Sequence, residues 1–143
     1  VKKTVAAFLA VVMILAGTVA VSSVTSDAKT TTKNIVIASL SSNSLSYHKS
    51  CMNTQLNGDA DWQWENLVGY GKKQRVAVAK NCKYYSISLT TMKPYKTSKA
   101  KFKKNLKDYS KNKENGVVWY WGTAAKITIK NGKCVKIVQT YQA

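Results

Sequence analysis

Apolar residues along this chain fall into short alternating runs, apart from one unbroken apolar block at the start. From Val5 to Val21 there is no charged residue, and Phe8, Leu9, Val11, Val12, Met13, Ile14 and Leu15 form the centre of the block. Lys2 and Lys3 precede it, and Ser26-Asp27-Ala28 offers small side chains behind it. A positive start, an apolar centre and a small-residue site make the pattern of a secretory signal peptide. The expectation is a signal peptide over 1–28, cleaved near Ala28, a secreted or cell-surface location, and membrane contact only transiently during export. Leu15-Ala16-Gly17 begins like a lipoprotein box, but Thr18 stands where the lipidated Cys belongs, so no lipid anchor is expected. The competing reading is a retained membrane anchor, because the block is near the lower limit of roughly 17 residues for a span.

Beyond the block the pattern predicts a polar, partly ordered segment over 29–60 and a folded α+β domain over 61–143. Within the first, Asn34–Leu40 is β-branched enough for a strand, and the Ser-rich remainder reads as loop. Trp62 and Trp64 alternate with Gln63 and Glu65 toward Leu67-Val68, which predicts a second strand. Gly69-Tyr70-Gly71-Lys72-Lys73 reads as a turn, and a third strand starts at Val76 and runs to Leu89 with a break near Lys80-Asn81. Pro94 closes that run. Ser98 then offers a helix cap, and Phe102, Leu106 and Tyr109 recur at i, i+4 and i+7. One amphipathic helix is therefore expected near 98–111, ending in the Asn112–Gly116 stretch.

The C-terminal third alternates most clearly. Val117, Trp119 and Trp121 make one run, and Ala125–Ile129 and Val135–Ile137 flank Asn131-Gly132. A two-residue turn there pairs Ile127 with Lys136 and splits the aliphatics between faces. A three-residue loop with a glycine bulge pairs Ile127 with Val135, unites them, and leaves Cys134 on the thinner face. The three-residue loop is the expectation. The fold class that results is α+β: a small curled antiparallel sheet, partly closed and OB-like, with one amphipathic helix.

Composition narrows the partners. The chain has 143 residues, 23 Lys+Arg against 6 Asp+Glu, and a net charge of +17, yet 45% of it is apolar, which excludes a disordered polyelectrolyte. Removing 1–28 takes only Lys2, Lys3 and Asp27, so about 115 residues keep about +16. Arg75 is the only Arg, which leaves little bidentate base readout, and export leads away from nucleic acid. Nucleic acid is therefore not an expected partner. Lysine suits diffuse, salt-sensitive attraction to extracellular polyanions such as wall polymers.

From Val76 to Gln142 the chain resembles small secreted β-rich domains of unknown function in Gram-positive bacteria. The resemblance rests on Val76–Tyr85, Phe102-Lys103-Lys104-Asn105-Leu106 and Ala125–Lys133. It implies a partly closed barrel related in shape to the OB-fold and a cell-envelope setting, and it transfers no functional residue.

Candidate chemistry is sparse. Cys51, Cys82 and Cys134 all lie in the exported part, and three thiols allow one bridge at most, with Cys51–Cys82 the favoured pair. No Cys-x-x-Cys spacing supports zinc. His48 is three residues from Cys51, a poor spacing for a nucleophile pair and more in keeping with an exposed loop histidine. Asp59, Asp61 and Glu65 lack Ca²⁺-loop spacing and read as counter-charges to the lysines. Trp119 and Trp121 are expected in the core; Trp62 and Trp64 fit core or surface equally.

The reading is an exported, non-enzymatic domain with no metal or cofactor. It associates through Lys103, Lys104, Lys107 and Lys111, on the polar face of the helix, with an anionic envelope or extracellular polymer. The alternative is a carbohydrate-binding module using Trp62 and Trp64, with Asp59 or Asp61 bonding sugar hydroxyls. An enzyme built on Asp59, Asp61 and Glu65, or on Cys51 and His48, ranks third.

Overall fold

The computed structural model describes residues 29–56 and 62–143. The signal peptide expected over 1–28, and Asp59 and Asp61, lie outside the described residues. Eight strands make one sheet: β1 (Thr30–Leu40), β2 (Ser44–Met52), β3 (Leu67–Ile87), β4 (Pro94–Thr97), β5 (Ser110–Glu114), β6 (Val117–Trp121), β7 (Ala124–Lys130) and β8 (Lys133–Gln139). A 3₁₀ turn, Asn53–Gln55, follows β2, and the helix α1 is Lys99–Lys104.

The strand pairings close on themselves. β1 pairs antiparallel with β2 and with β7, β7 with β8, and β2 with β3. β3 and β8 complete the ring in parallel. Closure depends on β3, which at 21 residues is long enough to pair with β2 along its first half and with β8 and β4 along its second. Extra residues in β1, β3 and β8 bend the ring, since a bulge bends its strand. One of these irregularities contains Gly71 at φ 78°, so the expected Gly69–Lys73 turn is a kink inside β3. A second lies between Val78 and Lys83, where a break was expected.

The inside of the ring is aliphatic. Ile35, Ile37, Leu45, Ile127 and Ile137 are buried there with Tyr47, Tyr84 and Cys134. Residues 29–60, expected to be polar and partly ordered, thus supply two of the ring's strands and much of its core. Alternation explains it: Leu45 and Tyr47 point inward between Ser44, Ser46 and Ser50, and the serines around them hide the period.

The helix is much shorter than the expected 98–111. Ser98 is its N-cap, its side chain accepting from the Lys101 amide at 3.2 Å, and the helix ends at Asn105 after six residues. Phe102 is buried against Tyr84, ring centroids 5.4 Å apart, and Leu106 packs beside the core. Tyr109 is not on the helix. Residues 110–114, expected to end it, form β5, paired with β6 through the Asn115-Gly116 turn. Both turn residues have positive φ, 51° and 82°, as the tight hairpin turn requires.

The Asn131-Gly132 turn has the same shape, φ 53° and 77°. It is a two-residue turn with Lys130 opposite Lys133, not the expected three-residue loop. The aliphatics are reunited by a bulge further along, which leaves Val135 out of register and brings Ile127 opposite Ile137. Cys134, expected on the thinner face, is fully buried in consequence. Among the described residues no helix is long and apolar enough to cross a membrane.

Candidate functional site

Lysines cover the outer side of the ring. Inward Ala125 and Ile127 alternate with outward Lys126 and Lys130 on β7, and Lys133 and Lys136 face outward on β8. Register sets two like-charged pairs directly opposite each other: Lys130 faces Lys133, and Lys83 faces Lys136. Facing like charges on adjacent strands are destabilising. The Lys136 ammonium rests 5.3 Å from the centroid of the Tyr85 ring, which offsets part of that cost. Of the six acidic residues only Glu65, Asp108 and Glu114 are among those described, and all three lie on other segments.

The four lysines expected on one helical face are spread over three segments. Lys103 and Lys104 are on α1, Lys107 is in the irregular stretch after it, and Lys111 is on β5. All four are exposed. Lys107 is held by its backbone, whose amide donates to Thr123 Oγ1 at 2.7 Å, with its ammonium 5.9 Å from the Trp121 ring centroid.

The tryptophans lie outside the core of the ring. Trp62, Trp64 and Trp119 form one cluster, with ring centroids 5.2 to 6.2 Å apart. Trp62 and Trp64 precede β3 in an irregular segment rather than a strand. Asn53 fixes that segment: it is fully buried, its Nδ2 donates to the Trp64 carbonyl at 2.9 Å, and its Oδ1 accepts from the Asn66 amide at 2.9 Å. Trp64 is 38% exposed, and a shallow depression of about 320 Å³ lies between Trp62, Trp64, Thr54, Gln63 and Glu65. The buried indole nitrogens of Trp62 and Trp119 have no hydrogen-bond partner among the described residues. Trp119 and Trp121, expected in the core, are half-buried: β6 lies outside the ring, and Tyr120, on the other face of the strand, is the residue that stacks on His48.

His48, expected to be exposed, is 1% exposed on β2. Its Nδ1 lies 2.9 Å from the Gly71 carbonyl and its Nε2 2.7 Å from the Tyr109 hydroxyl. A carbonyl only accepts, so Nδ1 carries the proton and Nε2 accepts from Tyr109. Tyr120 stacks on the imidazole at 3.7 Å. Burial lowers the His48 pKa, the Gly71 bond opposes this, and the nearby Lys73 charge adds to the lowering. The ring is thus a neutral, doubly bonded part of a small outer core, and neither nitrogen serves Cys51.

Among the described residues no group of three or more His, Cys, Asp or Glu could hold a metal ion. No family model, curated protein or solved structure matches the chain. The site is therefore read from its own chemistry. Alternation in Ala125–Ile129 made the lysine face of β7 legible, but its facing partners depended on the register. The His48–Tyr109–Tyr120 group carried only one sequence signal, the Asn115-Gly116 turn that draws β5 and β6 together.

Proposed function

We propose that this is an exported, non-enzymatic domain that binds an anionic envelope or extracellular polymer through the outer face of β7, β8 and the end of β3. The observation that carries the reading is the facing of Lys130 with Lys133 and of Lys83 with Lys136. Among the described residues no carboxylate lies on these strand segments, and a polyanion laid across the strands would relieve both repulsions. The five-membered strand ring, with its one parallel contact and a helix between β3 and β7, supports an OB-like barrel. Barrels of that class bind extended polymers on an open strand face.

The test is retention on isolated bacterial cell walls across a salt gradient, with the lysines neutralised in sets. Replacing Lys83, Lys130, Lys133 and Lys136 by Gln is expected to weaken retention at least about 100-fold, at about 1 kcal/mol per lysine near an anionic surface. Replacing Lys103, Lys104, Lys107 and Lys111 is expected to weaken it less, because those four do not share a face. Retention should fall steeply as salt shortens the screening length from about 30 Å at 0.01 M to about 8 Å at 0.15 M. Salt-insensitive retention, or equal loss from both sets, overturns the reading.

A second reading, carbohydrate binding at Trp62 and Trp64, is favoured by the exposed Trp64 ring beside its depression. Glycan binding there would shift tryptophan fluorescence, and Trp64→Ala would remove the shift. An unchanged spectrum across neutral glycans would exclude it.

A further inference from the structure

Cys82 and Cys134 approach each other from adjacent strands. β3 and β8 pair in parallel on both sides of a register shift, Val78 with Cys134 and Lys83 with Lys136, so Cys82 lies in the bulged stretch of β3 that runs alongside Cys134 and Val135. Both side chains face the same core: Cys134 is fully buried within it and Cys82 packs against it half-buried. Cys51, the partner expected for Cys82, is on β2 opposite Val68.

The two thiols have unlike surroundings. Cys82 lines a cleft of about 540 Å³ bordered by Lys80, Lys83, Lys96 and Lys99, with Ser42 and Ser98 at its edge. Lys99 is fixed there, its ammonium donating to the Ser42 carbonyl at 2.6 Å. The neighbouring Cys134 thiol lowers the Cys82 pKa against the effect of burial, and Tyr84 and the Lys99 charge act in the same direction, while the Cys134 S–H is directed at the Lys136 carbonyl at 3.5 Å. Cys134 is shifted upward, first by the Cys82 thiol and then by burial. A thiol lowered at the cleft, with a raised thiol behind it in the core, is the division of labour a dithiol needs.

We propose that Cys82 and Cys134 form a redox-active pair, Cys82 accepting small anionic disulfides from the lysine-lined cleft and Cys134 resolving them. The Cys82 thiolate attacks one sulfur of R–S–S–R, forms Cys82–S–S–R and expels RS⁻. Cys134 gives its proton to that RS⁻ and attacks Cys82 Sγ, forming the Cys82–Cys134 bond and expelling a second RS⁻, which takes up the proton Cys82 had lost. Two electrons and two protons pass from the protein to one disulfide, which leaves as two thiols. The cleft shares Lys83 with the proposed polymer-binding face, but thiol oxidation is read from peptide masses and not from retention on cell walls, so either proposal can fail alone.

The test exposes the reduced full chain to glutathione disulfide at low salt, alkylates the remaining thiols, and maps the peptides by mass. The wild type is expected to lose two hydrogens, link Cys82 to Cys134 and leave Cys51 alkylated. Cys134→Ala is expected to retain one glutathione on Cys82, and Cys51→Ser to behave as the wild type. Cystamine, a cationic disulfide, is expected to react at least about tenfold more slowly at low salt, the gap closing at high salt. An adduct confined to Cys51, or Cys82 fully alkylated after exposure, overturns the pairing. The wild-type peptides decide this by themselves, even where Cys134→Ala does not fold. Equal rates for the two disulfides overturn the anionic preference.

Discussion

The imidazole of His48 accepts a 2.7 Å hydrogen bond from the hydroxyl of Tyr109, 61 residues further along the chain. That bond ties β2 to the segment just before β5 and spans the outside of the ring. Tyr109 fits the apolar stripe of a helix, yet it leaves the helix to reach this histidine. Tyr120 stacks on the same imidazole, and the Tyr109 and Tyr120 rings lie parallel at 6.0 Å. The His48 group therefore anchors the β5–β6 hairpin to the ring.

Removing one side of this bond leaves the other buried and unpaired. Tyr109→Phe is expected to destabilise the fold by about 1–3 kcal/mol. Urea unfolding at pH 7.5 measures it; an unchanged midpoint would mean that the hydroxyl contributes nothing.

His48 also gives the fold a defined pH response. Its folded pKa is lowered below 6.5 by burial, so between that lowered value and 6.5 the unfolded chain binds more protons than the folded one. The contribution is complete above pH 6.5 and is lost as pH falls through the lowered value. The only His in the chain makes this clean. Stability should drop below pH 6.5 in the wild type and drop less in His48→Gln, each followed by denaturant midpoint against pH. Parallel profiles would count against the assignment.

Two glycines are needed for close approach. A Cβ at Gly122 would stand 2.6 Å from the Ile37 carbonyl oxygen, a backbone atom of β1 that cannot turn aside. A Cβ at Gly69 would meet the Cβ atoms of His48, Val36 and Tyr120 at 3.0 to 3.3 Å, which can yield slightly. Gly122→Ala should therefore cost more than Gly69→Ala, with Gly69→Ala at about 1–3 kcal/mol. Thermal unfolding ranks them, and the reverse order would contradict the packing.

The short helix is held by its cap and its one buried ring. Phe102→Ala is expected to cost about 3–5 kcal/mol through the cavity beside Tyr84, and Ser98→Ala about 1 kcal/mol. Equal costs would mean that Phe102 contributes little packing. Equilibrium denaturation of the two variants compares them directly.

The facing lysines predict opposite signs for folding and binding. Lys133→Glu turns the Lys130 pair attractive and should stabilise the fold by about 0.2–1 kcal/mol. It should also lower retention on cell walls. Parallel unfolding and retention measurements on the one variant check both, and a gain in retention would contradict the binding face.

Local pattern made several elements legible. Ser98 caps a helix as expected, and β-branched alternation marks β1, β7 and β8. Asn131-Gly132 marks a turn, although it is one residue shorter than expected, because the bulge at Val135 restores the pairing of Ile127 with Ile137 in another way. The second Asn-Gly, at 115–116, carries the same left-handed preference but fits a helix end equally well, since Phe102, Leu106 and Tyr109 keep a helical period. Tertiary contact decides between them: the outer core around His48 holds Tyr109, and β5 pairs with β6.

The sequence by itself determined the charge, the alternation of β1, β7 and β8, the Ser98 helix cap and the turn at Asn131-Gly132, because these depend on neighbours within a few residues. Only the tertiary structure decided which strands meet. It set Lys83 against Lys136, placed Cys134 rather than Cys51 beside Cys82, buried His48, and gathered three tryptophans outside the core. Those relationships follow from register and ring closure, which join residues dozens of positions apart and are fixed by the packing of the whole sheet.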